Sequence, residues 1–109
     1  MQAMRVFEKL IALRAYQKRY LPFLTTLEDM DIVRQIGYHQ EEGHPITFKG
    51  LLLENIGPAA TIHRQLDRLK QLGVVLQRQA GHDKRALELR LSDRIRQIYR
   101  RKEQLLGSS

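Results

Sequence analysis

The chain has 109 residues, enough for one domain with its own core and too few for two independent ones. With 42% hydrophobic and 28% charged residues it belongs among folded globular proteins rather than disordered chains. It has no cysteine, which excludes disulfides, thiolate metal sites and cysteine nucleophiles, and no apolar run approaches the ~20 residues of a membrane-crossing helix.

The N-terminus also lacks the uninterrupted apolar segment of a signal peptide, so a cytoplasmic protein is expected. The net charge of +7 is unevenly placed. Residues 1–45 carry six Lys/Arg and six Asp/Glu, whereas residues 46–109 carry thirteen and six, so the whole excess lies in the second part. A localised cationic surface attracts polyanions, nucleic acid first and anionic membrane second.

In chain order, Val6, Phe7, Leu10, Ile11, Leu13 and Tyr16 recur at helical spacing and predict a helix from Met4 that ends near Pro22. Thr25 with Glu28 three residues on has the form of a capping box, after which Leu27, Met30, Val33 and Ile36 continue a second helix into the polar stretch QEEGHP. Thr47 can cap a short helix through Glu54, with Leu51, Leu52 and Leu53 as its apolar body and Asn55 and Gly57 as its stop. Pro58 suits the first turn of the next helix, in which Ile62, Leu66 and Leu69 stack on one side. Ala60, Thr61, Arg64, Asp67 and Arg68 fall away from that side. After Gly73 the period becomes alternating: VVLQRQA and ALELRLS read as two strands joined by GHDKR, with Leu87, Leu89 and Leu91 on one face and Glu88 and Arg90 on the other. Ser92 can cap a last helix striped by Ile95, Ile98, Tyr99, Leu105 and Leu106, and GSS reads as a frayed end.

Two helices separated by a few residues around a glycine, followed at once by a hairpin with a charged tip, have the order of a winged helix-turn-helix. The expected fold is mostly α with a small β-hairpin wing (α+β), a single domain over residues 1–109. Within it, residues 1–24 form an N-terminal helix, 25–92 the winged-helix core and 93–106 a C-terminal helix. Each part has a physical task. The first helix of the pair braces the second across the phosphate backbone. A major groove about 12 Å wide accepts the second, and small residues at its leading end let the backbone come close. Thr47, Ala59, Ala60, Thr61, His63, Arg64 and Arg68 are therefore the expected DNA contacts of the pair. At the hairpin tip Arg85 can enter a minor groove with Asp83 holding its guanidinium, while Lys84 meets phosphate.

At these residues the chain resembles the MarR family of bacterial transcription regulators. PAATIHRQLDRLKQLGVVLQRQAGHDKRALELRLS is similar to that family's recognition helix and wing, whose T-x-x-R, L-x-x-L-G, D-x-R and L-x-L-[ST] features follow in this order. They stand here as Thr61 with Arg64, Leu69 with Leu72 and Gly73, Asp83 with Arg85, and Leu89 with Leu91 and Ser92. The match is firm over residues 47–92 and looser outside them. The resemblance implies a homodimer on pseudo-palindromic operator DNA, with the wing arginine at Arg85 in the minor groove and its acidic partner at Asp83. The family usually continues past the wing with a glycine and two further helices for dimerisation; after LSDRIRQIY one helix follows here. The terminal helices are accordingly expected to make a shortened dimer interface, through Phe7, Leu10, Ile11, Tyr16, Ile95, Ile98, Tyr99, Leu105 and Leu106.

The expected protein is thus a cytoplasmic, nucleoid-associated, homodimeric regulator that binds double-stranded DNA, with no enzymatic activity, no cofactor and no membrane association. No residue indicates a small-molecule effector. The alternative from another class is a winged-helix module that binds protein through the same face, for instance an antagonist of a regulator, because fold alone does not fix function. His39, Glu41, Glu42 and His44 lack a set metal-ligand spacing, and no nucleophile–base set or glycine-rich phosphate loop is evident. A basic last helix on anionic membrane is disfavoured by its narrow apolar stripe without Trp or Phe.

Overall fold

The computed structural model describes residues 5–80 and 83–107, with side chains for 5–79 and 87–104. The elements are α1 (Val6–Tyr20), α2 (Leu27–Glu41), α3 (Phe48–Leu52), α4 (Ala59–Gln71), β1 (Val75–Ala80), β2 (Asp83–Leu91) and α5 (Asp93–Gly107). They fall into two compact units, α2 through β2 over residues 25–92 in one, α1 with α5 in the other.

In the unit of residues 25–92, α2 is started by Thr26. Its hydroxyl accepts the Asp29 N–H (3.0 Å) and the Asp29 carboxylate accepts the Thr26 N–H (3.3 Å), which is a capping box one residue later than Thr25 and Glu28. Ile32, Val33 and Ile36 then bury the inner face of α2. Thr47 caps α3 by accepting the Gly50 N–H (3.1 Å), and the short helix stops at Leu52, two residues before Glu54. The turn that follows carries Asn55 at φ 58°, a left-handed conformation that asparagine tolerates better than most residues. Pro58 is the extended N-cap of α4 rather than a member of its first turn.

Helix α4 buries Ile62, Leu66 and Leu69 and ends in a Schellman turn. Gly73, at φ 76°, donates to the Lys70 carbonyl and Val74 donates to the Leu69 carbonyl, both at 3.0 Å. That turn delivers the chain directly into β1. The hairpin is antiparallel and regular from Val75 opposite Leu91 to Gln79 opposite Leu87, then shifts so that Ala80 faces Asp83. β2 therefore begins at Asp83, three residues earlier than ALELRLS suggests. Leu89 and Leu91 are buried while Leu87 is partly exposed, so the core meets the base of the hairpin. The base is clamped from two sides. Leu89 N–H donates to the Ile46 carbonyl (2.8 Å), Thr47 bridges to Glu88, and Leu91 N–H donates to Gln40 Oε1 on α2 (2.8 Å).

In the other unit, α1 and α5 are joined by the Tyr16 hydroxyl, which donates to the Ile98 carbonyl at 2.6 Å. Burial holds the Tyr16 phenol above its ordinary pKa, with Arg101 opposing the shift. Along α1, Val6, Phe7, Leu10 and Ile11 form an exposed apolar row, Phe7 being 77% accessible. Ile95 does not extend it. Its side chain is 0% accessible, so the chain's own packing covers it and it cannot serve a partner as expected. Ile98 and Tyr99 are half-buried, and the Leu105 and Leu106 side chains lie outside the described residues.

Candidate nucleic-acid interface

The site is built on α4. Ile62, Leu66 and Leu69 face inward, so the row on the opposite side, Ala60, Arg64 and Gln71, is exposed. Ala59 and Ala60 open the helix as small, exposed residues, and Thr61 beside them is half-buried. Pro58 and the first turn of α4 contain no acidic residue, leaving the N–H groups and positive dipole end unopposed by side-chain charge in that turn. Among the described residues, no ion pair or hydrogen bond occupies the Arg64 side chain.

His63 is exposed and stands between two neighbours. Its Nδ1 lies 3.3 Å from the Asp67 carboxylate one turn on, and its ring meets Phe48 of α3 edge to face at 5.6 Å. Asp67 is further matched by Lys70 (3.4 Å), whose Nζ also donates to Gln77 Oε1 of β1 (2.9 Å). Among the described residues, the outer side of α4 thus presents one unmatched cation, Arg64, beside a locally neutralised cluster. Thr47 contributes differently: its hydroxyl oxygen is the cap of α3, at the point where that helix adjoins the hairpin base.

Arg68 is not where its position on the helix suggests. Successive helical residues are turned by about 100°, which puts Arg68 only about 40° from Arg64 on the wheel. Its Nη2 nevertheless donates to Asp29 Oδ2 at 2.5 Å, a carboxylate that is wholly buried at the start of α2. The Arg68 side chain, 35% exposed, is held by the chain's own Asp29, which corrects the expectation that it reaches toward DNA as a free cation. Neither Asp29 nor Gln65, the other α4 residue bonded to this cap, stood among the sequence candidates. A signal did exist. Asp29 lies three and four residues before Ile32 and Val33, on the buried side of α2, and an acid there requires a buried cation or donor set.

Asp83, Lys84 and Arg85 belong by backbone to β2, and their side chains lie outside the described residues. Among the described residues no cluster of three or more His, Asp or Glu could hold a metal ion, and no helix is long and apolar enough to cross a membrane.

No family model matches the chain, and no curated protein does. Solved structures do. A mutant MarR from E. coli complexed with operator DNA is 22% identical, with a TM-score of 0.60 over 94% of this chain and 71% of that one. A transcriptional regulator of Thermotoga maritima is 20% identical, with a TM-score of 0.62 over 94% and 72%. A mutant MepR from S. aureus reaches a TM-score of 0.65 at 12% identity, over 93% and 72%. Each match covers more than nine-tenths of the chain, which has the winged-helix fold of MarR-like proteins.

Proposed function

We propose that the chain is a sequence-specific double-stranded DNA-binding transcription regulator of the MarR kind. It acts as a homodimer on a pseudo-palindromic operator, with α4 in the major groove and the wing in the minor groove. The observation that carries this reading is the outer side of α4, where small residues at the leading end precede an exposed Arg64. A protein of similar fold was solved in complex with operator DNA, which supports this reading. Arg64 would reach base edges, Thr61, His63 and the α4 N-terminus would hold phosphate, and Arg85 with Asp83 and Lys84 would occupy the adjacent minor groove. The exposed row Val6, Phe7, Leu10 and Ile11 on α1 supplies the dimer contact, with Ile98 and Tyr99 of α5 as further candidates. Two half-sites then lie about 10 to 10.5 bp apart, or a multiple of that.

Titrating the protein with random duplex at increasing salt tests the reading. Nucleic-acid binding gives log K falling linearly with log salt, at a slope of about −0.9 for each phosphate contacted. No retention on DNA even at low salt would instead favour a protein partner for the same face.

A further inference from the structure

Helix α4 is held against α2 by a matched pair of bonds. Gln65 Nε2 donates to Thr26 Oγ1 (3.2 Å) and Arg68 Nη2 donates to Asp29 Oδ2 (2.5 Å). Gln65 and Arg68 are three apart on α4; Thr26 and Asp29 are the two members of the α2 capping box, also three apart. One turn of one helix is thereby laid along the first turn of the other. Asp29 is 0% accessible, and its Oδ2 gathers four donors: Thr25 N–H (3.0 Å), Thr25 Oγ1 (3.2 Å), Thr26 N–H (3.3 Å) and Arg68. Its Oδ1 has no hydrogen-bond partner among the described residues. A carboxylate so placed loses much if its cation leaves, because removal of one partner strands a buried charge.

From this geometry we infer that Asp29, Arg68 and Gln65 are positioning residues that fix the rotation of α4 about its own axis, and so set sequence selectivity without touching DNA. This rests on the DNA-binding reading above. The buried apolar face of α4 consists of Ile62, Leu66 and Leu69, whose contacts are non-directional and tolerate small rotations. Directional bonds do not. Turning α4 by a fraction of one residue step strains both bonds to the capping box at once, and the same turn would carry Arg64 off the line it presents outward. A second consequence concerns charge: Arg68, compensated by Asp29, adds no phosphate contact and so nothing to the salt dependence.

The test uses the full chain. A random duplex pool is first selected with the wild type, and the enriched duplex and a scrambled duplex of equal length are then bound over a range of salt. The measurements are made well below each variant's unfolding midpoint, with helix content checked by circular dichroism. Arg68→Met and Asp29→Asn should each lower the ratio of selected to scrambled affinity by about tenfold, and the double variant should lower it little further, since both remove one interaction. Arg68→Met should keep the wild-type salt slope, since the loss of a phosphate contact would reduce it by about 0.9. Gln65→Ala, which keeps the ion pair, should give a smaller loss of selectivity in the same direction, and stands in for Asp29→Asn if that variant does not fold. A salt slope reduced by about 0.9 in Arg68→Met, or selectivity retained in Arg68→Met and in Gln65→Ala, overturns the inference. Failure of the wild type to enrich any duplex overturns the regulator reading itself, and the inference falls with it.

Discussion

Replacing Thr26 by alanine removes a hydroxyl that serves two acceptor bonds at once, from Asp29 N–H at 3.0 Å and from Gln65 Nε2 at 3.2 Å. The first is an N-cap bond, whose loss costs about 1 kcal/mol. The second joins two helices through half-buried groups and contributes on the order of 1 kcal/mol more. For a cooperative unit the size of residues 25–92, each kcal/mol lowers the midpoint by roughly 4–8 °C, so Thr26→Ala should melt roughly 8–16 °C lower than wild type. Thr25→Ala is the control. Thr25 is exposed and its hydroxyl is one of four donors to Asp29 Oδ2, so its loss should cost less than about 0.5 kcal/mol. Thermal unfolding followed by circular dichroism compares the two, and Thr26→Ser should recover most of the loss. If Thr25→Ala is as damaging as Thr26→Ala, the assignment of the cap to Thr26 is wrong, and with it the link between the α2 start and α4.

Four further outcomes are expected. Ile62→Ala empties a fully buried position on the inner side of α4 and should destabilise by about 2–5 kcal/mol in denaturant unfolding. Gly73→Ala meets no atom within 4 Å, so its cost is that of the left-handed backbone alone, about 1 kcal/mol by the same measurement. Tyr16 is held protonated in the folded chain more strongly than in the unfolded one, so its contribution is fully present below about pH 10 and fades as the pH rises through its raised value. Midpoints of wild type and Tyr16→Phe measured against pH should therefore differ at neutrality and converge in strong base. Arg85→Ala should weaken binding to the selected duplex by about 1–3 kcal/mol with less effect on scrambled DNA; equal affinity for the selected duplex would remove the wing arginine from the proposal.

The helix pair and hairpin were legible because their signals are local: a proline and small residues before α4, an apolar row at helical spacing, Gly73 at its end, and a change of period to alternation. The cap of α2 was displaced because two consecutive threonines stand three residues before two consecutive acids. Thr25 with Glu28 and Thr26 with Asp29 satisfy the same pattern, and burial of Asp29 decides between them. Arg68 escaped for a different reason. A wheel projection records where Cβ points, whereas an arginine side chain is long enough to turn back to a partner 39 residues away in sequence. Ile95 shows the limit of apolar stripes. The stripe says that one face of α5 is covered, and only the fold says that at Ile95 the cover comes from the chain itself. The wing was read by its alternation, yet β2 runs on to Asp83 because backbone pairing continues after the apolar pattern has stopped.

Selecting bound duplexes from a random pool with the wild-type chain tests the central claim most directly. A two-fold symmetric consensus, with half-sites about one helical turn or a multiple apart, is the predicted result. A pool that returns no enriched sequence, from a chain shown to be folded and at low salt, would contradict it.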